Sequence, residues 1–293
     1  MASLPERDYR EILHDLEELE AYLTSLGFRR APNRLRGIIA NLGEIEKARA
    51  ENRLLSLNAH PRVSELVWSV VEGQEFAEIF RGIRGYDPQI VKALMQKALK
   101  GPLHPNDETT RSNFARNTIF ELLLGAKLRR AGASVTLGQE ADLLIDCAGG
   151  RLYIECKRPL YERTIEENVA KARSQLRRRF DADPHPNSLG GLVAISVSKA
   201  INPGLNWFMV DEEKDVEQLT RDVNRIHEQY CRDYDRQIDP RLLGMLYHIF
   251  TPVMVRKAGI FCAFHFEIFL VTSGWQTVFP LSGDTFKQFL SRL

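Results

Sequence analysis

Cysteine is scarce in this sequence: four in 293 residues, at Cys147, Cys156, Cys231 and Cys262. None forms a Cys-x-x-Cys pair, which argues against a zinc site and leaves buried, reduced thiols as the expectation. Neither sign of charge is in excess, with 40 Lys and Arg against 39 Asp and Glu. A chain so balanced is no general polyanion binder, so any contact with nucleic acid has to come from local basic patches. No apolar run reaches membrane-spanning length, and the charged N-terminal segment is not a secretory signal. The expectation is a cytoplasmic protein with no membrane partner. Gly-rich phosphate loops, Ser nucleophile elbows and His-Glu-x-x-His runs are missing too, as are internal repeats and low-complexity tracts. The seven histidines are scattered. His227 and Cys231 stand at i and i+4, two ligands at most and short of a zinc site. They are read as structural, as are His265 and Glu267, which alternate along a strand.

What is present is ordinary globular composition, 44% hydrophobic and 27% charged, enough for one large or two modest domains. Residues 1–105 read as all-helical. Ser3-Leu4-Pro5-Glu6 has capping-box spacing. Tyr9, Ile12, Leu16, Leu19, Leu23 and Leu26 then recur at helical period, and Gly27 closes the helix. A second helix follows Pro32-Asn33, a third runs near Val63 to Ile83, and a fourth opens at Asp87-Pro88. These helices form a bundle packed on the rest of the chain, or else a surface for a protein partner or a second copy. Gly101-Pro102-Leu103-His104-Pro105 marks the expected boundary, dividing the chain into domains 1–105 and 106–293.

The densest chemical signal is Ala141 to Pro159, ADLLIDCAGGRLYIECKRP. Two β-favouring runs joined through Gly149-Gly150 predict a hairpin. Pleating puts Asp142, Leu144 and Asp146 on one face of the first strand, and Tyr153, Glu155 and Lys157 on one face of the second. A turn centred between Gly149 and Gly150 sets Asp142 opposite Lys157, with Glu155 one pleat along. Two carboxylates and an ammonium then converge with aliphatic residues behind them. Mg2+ favours carboxylate oxygens, keeps several waters and takes substrate phosphate at its open positions. The competing reading is a surface salt-bridge ladder worth roughly 0.2–1 kcal/mol per pair.

Asp142, then Glu155-Cys156-Lys157 thirteen positions on, resembles the PD-(D/E)XK or restriction-endonuclease-like nuclease superfamily. Ala141 stands where the name-giving Pro would be, and the resemblance covers roughly 113–201. It implies an α/β fold of α+β mixed type, with a central mixed β-sheet flanked by helices, here preceded by the all-helical region. It implies metal ligation by Asp142, Glu155 and the Cys156 backbone carbonyl, and catalysis by these acids with Lys157. It also matches the family's helix Glu to Glu121, which lies in the apolar run Ile119 to Leu124, as catalytic residue and ligand. The alternative is that Glu121 points along the helix edge to water.

After Pro159 a helix from about Thr164 to Phe180 follows. Eight Lys and Arg face three Glu between Lys157 and Arg179. The resemblance offers Lys171 and Gln175 as assisting residues, and Arg177, Arg178 and Arg179 are candidates for phosphate contact; the plain alternative is a solvated face. Leu192 to Val197 reads as a central strand, with Ser196, Ser198 and Lys199 near its end. Asp211 to Tyr234 reads as a long helix, and Leu242 to Val255 as a strand broken or ended at Pro252. Ile260 to Val271 reads as a further strand, and a last helix starts at Ser282 or Asp284. The functional expectation is an Mg2+- or Mn2+-dependent nuclease acting on DNA in preference to RNA, in defence, restriction or repair. The alternative is a catalytically inactive nuclease-fold module that binds nucleic acid or protein.

Overall fold

The structure, a computed structural model, describes residues 8–28, 33–138, 141–147, 150–182, 188–204, 206–210, 217–231, 239, 241–255 and 260–271. The described chain is mixed α/β. It gathers into two compact units, Met1–Ile119 with Asn202–Glu217 and Phe250–Phe266, and Phe120–Ile201 with Gln218–Ile249 and Glu267–Leu293. Among the described residues no helix is long and apolar enough to cross a membrane.

The helices of the first unit follow the apolar spacing. Helix α1 (Tyr9–Ser25) starts at Asp8, whose carboxylate accepts from the Arg10 N–H at 3.2 Å. The capping box at Ser3–Glu6 lies outside the described residues, and Asp8 is the cap of this helix. At its far end Gly27 takes φ +85°. Its N–H meets the Thr24 carbonyl and the Phe28 N–H meets that of Leu23, the double closure that a left-handed residue allows. Helices α2 (Asn33–Ala50), α3 (Val63–Ile83) and α4 (Pro88–Ala98) follow. Asp87 opens α4 by accepting from the Gln89 N–H at 2.7 Å, while Pro88 takes a position that needs no donor.

Helix α3 is the axis of this unit. Fifteen of its 21 residues are buried, and α1 and α2 pack on it and on each other. Gly73 permits the approach: a Cβ there would fall 2.7 Å from Leu42 Cδ1 and 3.3 Å from Ile12 Cγ2.

Inside this apolar bundle sits a charge cluster that hydrophobic spacing does not announce. One Glu72 oxygen accepts from Arg34 Nε at 3.1 Å, the other from Arg116 Nε at 2.9 Å. Arg116 belongs to α5 (Phe114–Arg130). All three side chains are at most 5% exposed. Arg34 also donates to the Ala98 carbonyl at 3.0 Å, and Arg116 to those of Pro102 and Leu103 at 3.1 and 3.3 Å. The end of α4 is therefore tied to α2 at Ala98, and the segment after it to α5 at Pro102 and Leu103. Burial pushes the Glu72 carboxyl up, but the Arg116 and Arg34 charges outweigh it and hold the group below the ordinary carboxylate range. A charge left alone in such a place is costly, so Glu72→Ala is expected to lower unfolding stability by about 3–5 kcal/mol. Urea denaturation checks this, and an unchanged midpoint would show that the cluster holds nothing together.

The strands form one mixed sheet. Strands β1 (Ser134–Leu137), β2 (Leu143–Cys147) and β3 (Gly150–Lys157) make an antiparallel meander. Then β4 (Ser188–Ser196) runs parallel to β3, and β6 (Leu242–Val255) parallel to β4. Short β5 (Phe208–Val210) is parallel to β6, and β7 (Ile260–Val271) also pairs with β6. A parallel neighbour needs a crossover, and α6 (Ile165–Ala182) supplies it between β3 and β4. Its Leu176 and Phe180 sit over Gly191, where a Cβ would fall 2.6 Å from Leu176 Cδ2. Strand β4 is central, as its apolar run predicts.

Two expectations change. Strand β6 continues through Pro252, which stands between its last pair with β4, at His248, and its first with β5, at Val253. The long helix expected over 211–234 is, in its described part, α8 (Glu217–Ile226) followed by one π-helical turn, His227–Cys231. The helix expected at Ser282 or Asp284 lies outside the described residues. Short α7 (Ser198–Ile201) follows β4.

Candidate active site

The hairpin forms, in a register two residues away from the one the Gly-Gly turn suggests. Leu144 pairs with Tyr153, Ile145 with Leu152 and Asp146 with Arg151. Continuing that offset sets Asp142 opposite Glu155, not Lys157. A one-residue slip would have reversed every side chain, but a two-residue slip preserves the faces. Asp142, Glu155 and Lys157 therefore still share one. The two aspartates of the first strand part company: Asp146, at the hairpin tip, lies 3.5 Å from Arg151 and is half exposed, while Asp142 stands at the root.

Asp142 precedes the first paired residue of β2, and its side chain turns onto the neighbouring strand. Its Oδ2 accepts from the Cys156 N–H at 2.7 Å, satisfying a backbone donor of a strand buried on both faces. Lys157 closes the group. Its Nζ donates to Glu155 Oε2 at 3.3 Å and to the Cys156 carbonyl at 3.0 Å, and lies 3.6 Å from Asp142 Oδ2. The three residues named from sequence are thus brought together.

Glu155 is the most confined of them, at 1% exposure. Its Oε1 has no hydrogen-bond partner, and Arg179 Nε of α6 comes no nearer than 3.8 Å. Burial, followed by the Asp142 charge, pushes its carboxyl up to about 7, against the opposing pull of Lys157 and Arg179. Burial also lifts the Cys156 thiol well above its ordinary value, reinforced by Asp142 and Glu121. Cys156 is thus a neutral core group and no nucleophile.

Two carboxylates and a carbonyl are the donors that a divalent cation with retained waters uses. The Cys156 carbonyl accepts from Lys157 but keeps a second lone pair. A cation here would partner the orphaned Glu155 Oε1 and offset the repulsion from Asp142. The donors fit Mg2+ or Mn2+. Among the described residues no three His, Cys, Asp or Glu side chains cluster closely enough to hold a metal by themselves.

The other candidates separate. Glu121 lies on α5, one turn before Gly125, where a Cβ would fall 3.1 Å from Leu143 Cδ2. Leu143 pairs with Ile154, so α5 covers the face that carries Cys156, opposite the face of Glu155. Glu121 is half-buried there, and its charge is felt at Cys156. Lys171 is exposed and paired with Glu167 at 2.6 Å. Arg178 is exposed, with its Nε 3.4 Å from the Ser174 carbonyl. Arg177 lies 3.7 Å from Asp239, and Gln175 is half-buried one turn before Arg179. In the sequence Arg179 stands only as one member of a basic run. The signal available was its i+4 spacing from Gln175 together with Phe180, whose ring packs edge-on to Tyr153 at 6.2 Å. Ser196 is buried, 3.3 Å from His248 Nδ1 and 3.2 Å from Ser198 Oγ, a local network where β4 ends and α7 begins. His227 Nδ1 lies 2.7 Å from the Tyr247 hydroxyl, so it too serves packing.

Comparison with protein-family models, with curated proteins and with solved structures finds no match to this chain.

A carboxyl raised on folding binds its proton more tightly in the native state. Metal-free stability therefore falls as pH rises from the ordinary glutamate range through about 7. Glu155→Gln is expected to be more stable than the parent by roughly 1–3 kcal/mol at pH 8 in EDTA, with the difference closing toward pH 5. Thermal melts across that range check it. Equal melting at pH 8 would mean that Glu155 carries no such strain.

Proposed function

We propose that the protein is a metal-dependent nuclease that hydrolyses phosphodiester bonds, DNA before RNA, on a restriction-endonuclease-like core. The observation that carries this reading is the convergence of Asp142, Glu155 and Lys157 at the root of the hairpin, with one buried Glu155 oxygen lacking a hydrogen bond. The mixed sheet, with α5 on one face and the α6 crossover beside β3, agrees with the core that the Asp…Glu-x-Lys pattern implies.

Asp142, Glu155 and the Cys156 carbonyl would hold Mg2+ or Mn2+. A cation so held supplies Lewis acidity toward a phosphate oxygen and acidifies a bound water. Lys157 is tethered to both carboxylates and would orient the attacking water and offset charge building on the phosphate. Arg179, exposed on one side and directed at Glu155 on the other, would add positive charge where the phosphate arrives. Glu121, on α5, contributes negative charge at Cys156 as Asp142 does. Defence, restriction and repair are the settings in which such chemistry is used.

Asp142→Ala, Glu155→Ala and Lys157→Ala are each expected to lower Mg2+-dependent cleavage by roughly 100-fold or more, with the fold retained. The assay compares single-stranded DNA, duplex DNA and RNA, with and without Mg2+. Full, EDTA-insensitive activity in these variants would overturn the reading. Calorimetric titration with Mn2+ separates the alternative of an inactive nuclease-fold binding module: heat lost in Asp142→Ala supports the metal site, and no heat in the parent supports the alternative.

A further inference from the structure

We propose that Tyr161, with Arg163 laid over its ring, is a base-stacking platform that makes single-stranded nucleic acid the bound form of substrate. This inference rests on the nuclease reading above and deepens it. Tyr161 is 48% exposed, one of three large hydrophobic residues so placed among the described ones. It follows Lys157 by four residues, so the chain between them spans at most about 14 Å.

The backbone beneath the ring is held by packing and by hydrogen bonds. Pro159 and Leu160 are buried immediately before it. The Tyr161 carbonyl accepts from the Thr164 N–H at 3.0 Å and the Thr164 hydroxyl at 2.8 Å. Glu162 is clamped by Arg225 at 2.6 and 3.4 Å, and accepts from the Tyr230 hydroxyl at 3.2 Å. The backbone is thus fixed on both sides of a side chain that faces water. Holding an aromatic outward on an ordered turn spares its binding the entropy of ordering.

The chemistry of the pair selects its ligand. The Arg163 guanidinium carbon lies 5.3 Å from the ring centroid, so a planar cation and a planar π-face are presented together. Nucleobases stack on both kinds of surface without regard to sequence. A base inside a duplex has its faces covered by its neighbours, whereas an unpaired base does not. Arg158 lies just upstream, and the local basic excess supplies charge for the backbone on either side of the stacked base.

The test uses the full chain carrying Asp142→Asn to prevent cleavage, with a short fluorescein-labelled oligothymidylate and a duplex of equal length, in Mg2+ buffer. Tyr161→Ala is expected to weaken oligothymidylate binding about tenfold while duplex binding moves by less than about twofold, and Tyr161→Phe is expected to bind as the parent does. Fluorescence anisotropy reads the three affinities. Oligothymidylate affinity unchanged in Tyr161→Ala, equal losses on both probes, or no oligothymidylate binding by the parent would each overturn the proposal. Mg2+-dependent cleavage by the unsubstituted chain is measured beside it. Cleavage without Tyr161-dependent binding sinks the platform alone, and Tyr161-dependent binding without cleavage sinks the nuclease reading alone.

Discussion

A strand covered on both faces cannot carry a carboxylate without giving it something to bind, and β3 carries Glu155 near its end. That constraint organises its surroundings. Asp142 leaves its own strand to cap the Cys156 N–H, Lys157 folds back over Glu155 Oε2, and α6 brings Arg179 toward the other oxygen. Strand β3 lies between an antiparallel and a parallel partner, so it cannot turn Glu155 out to solvent without moving Cys156, Ile154 and Tyr153 as well. The acid is held in place by the packing of its apolar neighbours.

Glu72 and Glu155 are the two most deeply buried acids among the described residues, and the structure treats them in opposite ways. Glu72 faces Arg34 and Arg116, each within hydrogen-bond reach, and its carboxyl is held below the ordinary range. Its burial is balanced by fixed cations, and the result is a structural clasp that also secures the connection after α4. Glu155 has one ammonium in reach and a guanidinium at 3.8 Å, with Asp142 alongside, and its carboxyl is pushed up. Comparable burial with incomplete compensation leaves a group that would gain from a further positive charge. On the proposed reading, the contrast separates a carboxylate serving the fold from one available for chemistry.

The sequence made some of this legible for identifiable reasons. Helix ends were readable where one residue controls them, as with Asp87-Pro88 and Gly27, because caps and left-handed closures are local. The common face of Asp142, Glu155 and Lys157 was readable because strand alternation has period two. The register was not: the loop length of a turn fixes which residues pair, and two glycines do not specify its centre. Glu72 stood inside an apolar run just as Glu121 did, yet its partners come from residues 38 and 44 positions away. No local pattern carries that information. Arg179 was hidden for the same reason, since which member of a basic run reaches the sheet depends on how α6 settles over Gly191.

On the proposed reading, the charge balance at the hairpin root favours a divalent ion over a monovalent one. With a cation bound, Asp142 and Glu155 would together bring two negative charges, of which Lys157 neutralises one. Arg179 is too distant to hydrogen-bond, so it screens the remainder without satisfying it. A monovalent cation would cancel the charge, but it would lack the charge density to polarise a phosphate. A second fixed arginine, as at Glu72, would cancel it permanently and close the site. A divalent ion leaves the group with an excess of positive charge, which is the condition under which an anionic phosphate is drawn in. On the proposed reading, incomplete compensation at Glu155 is therefore what couples the fold of β3 to substrate binding, because the cation that relieves the buried acid also attracts the phosphodiester.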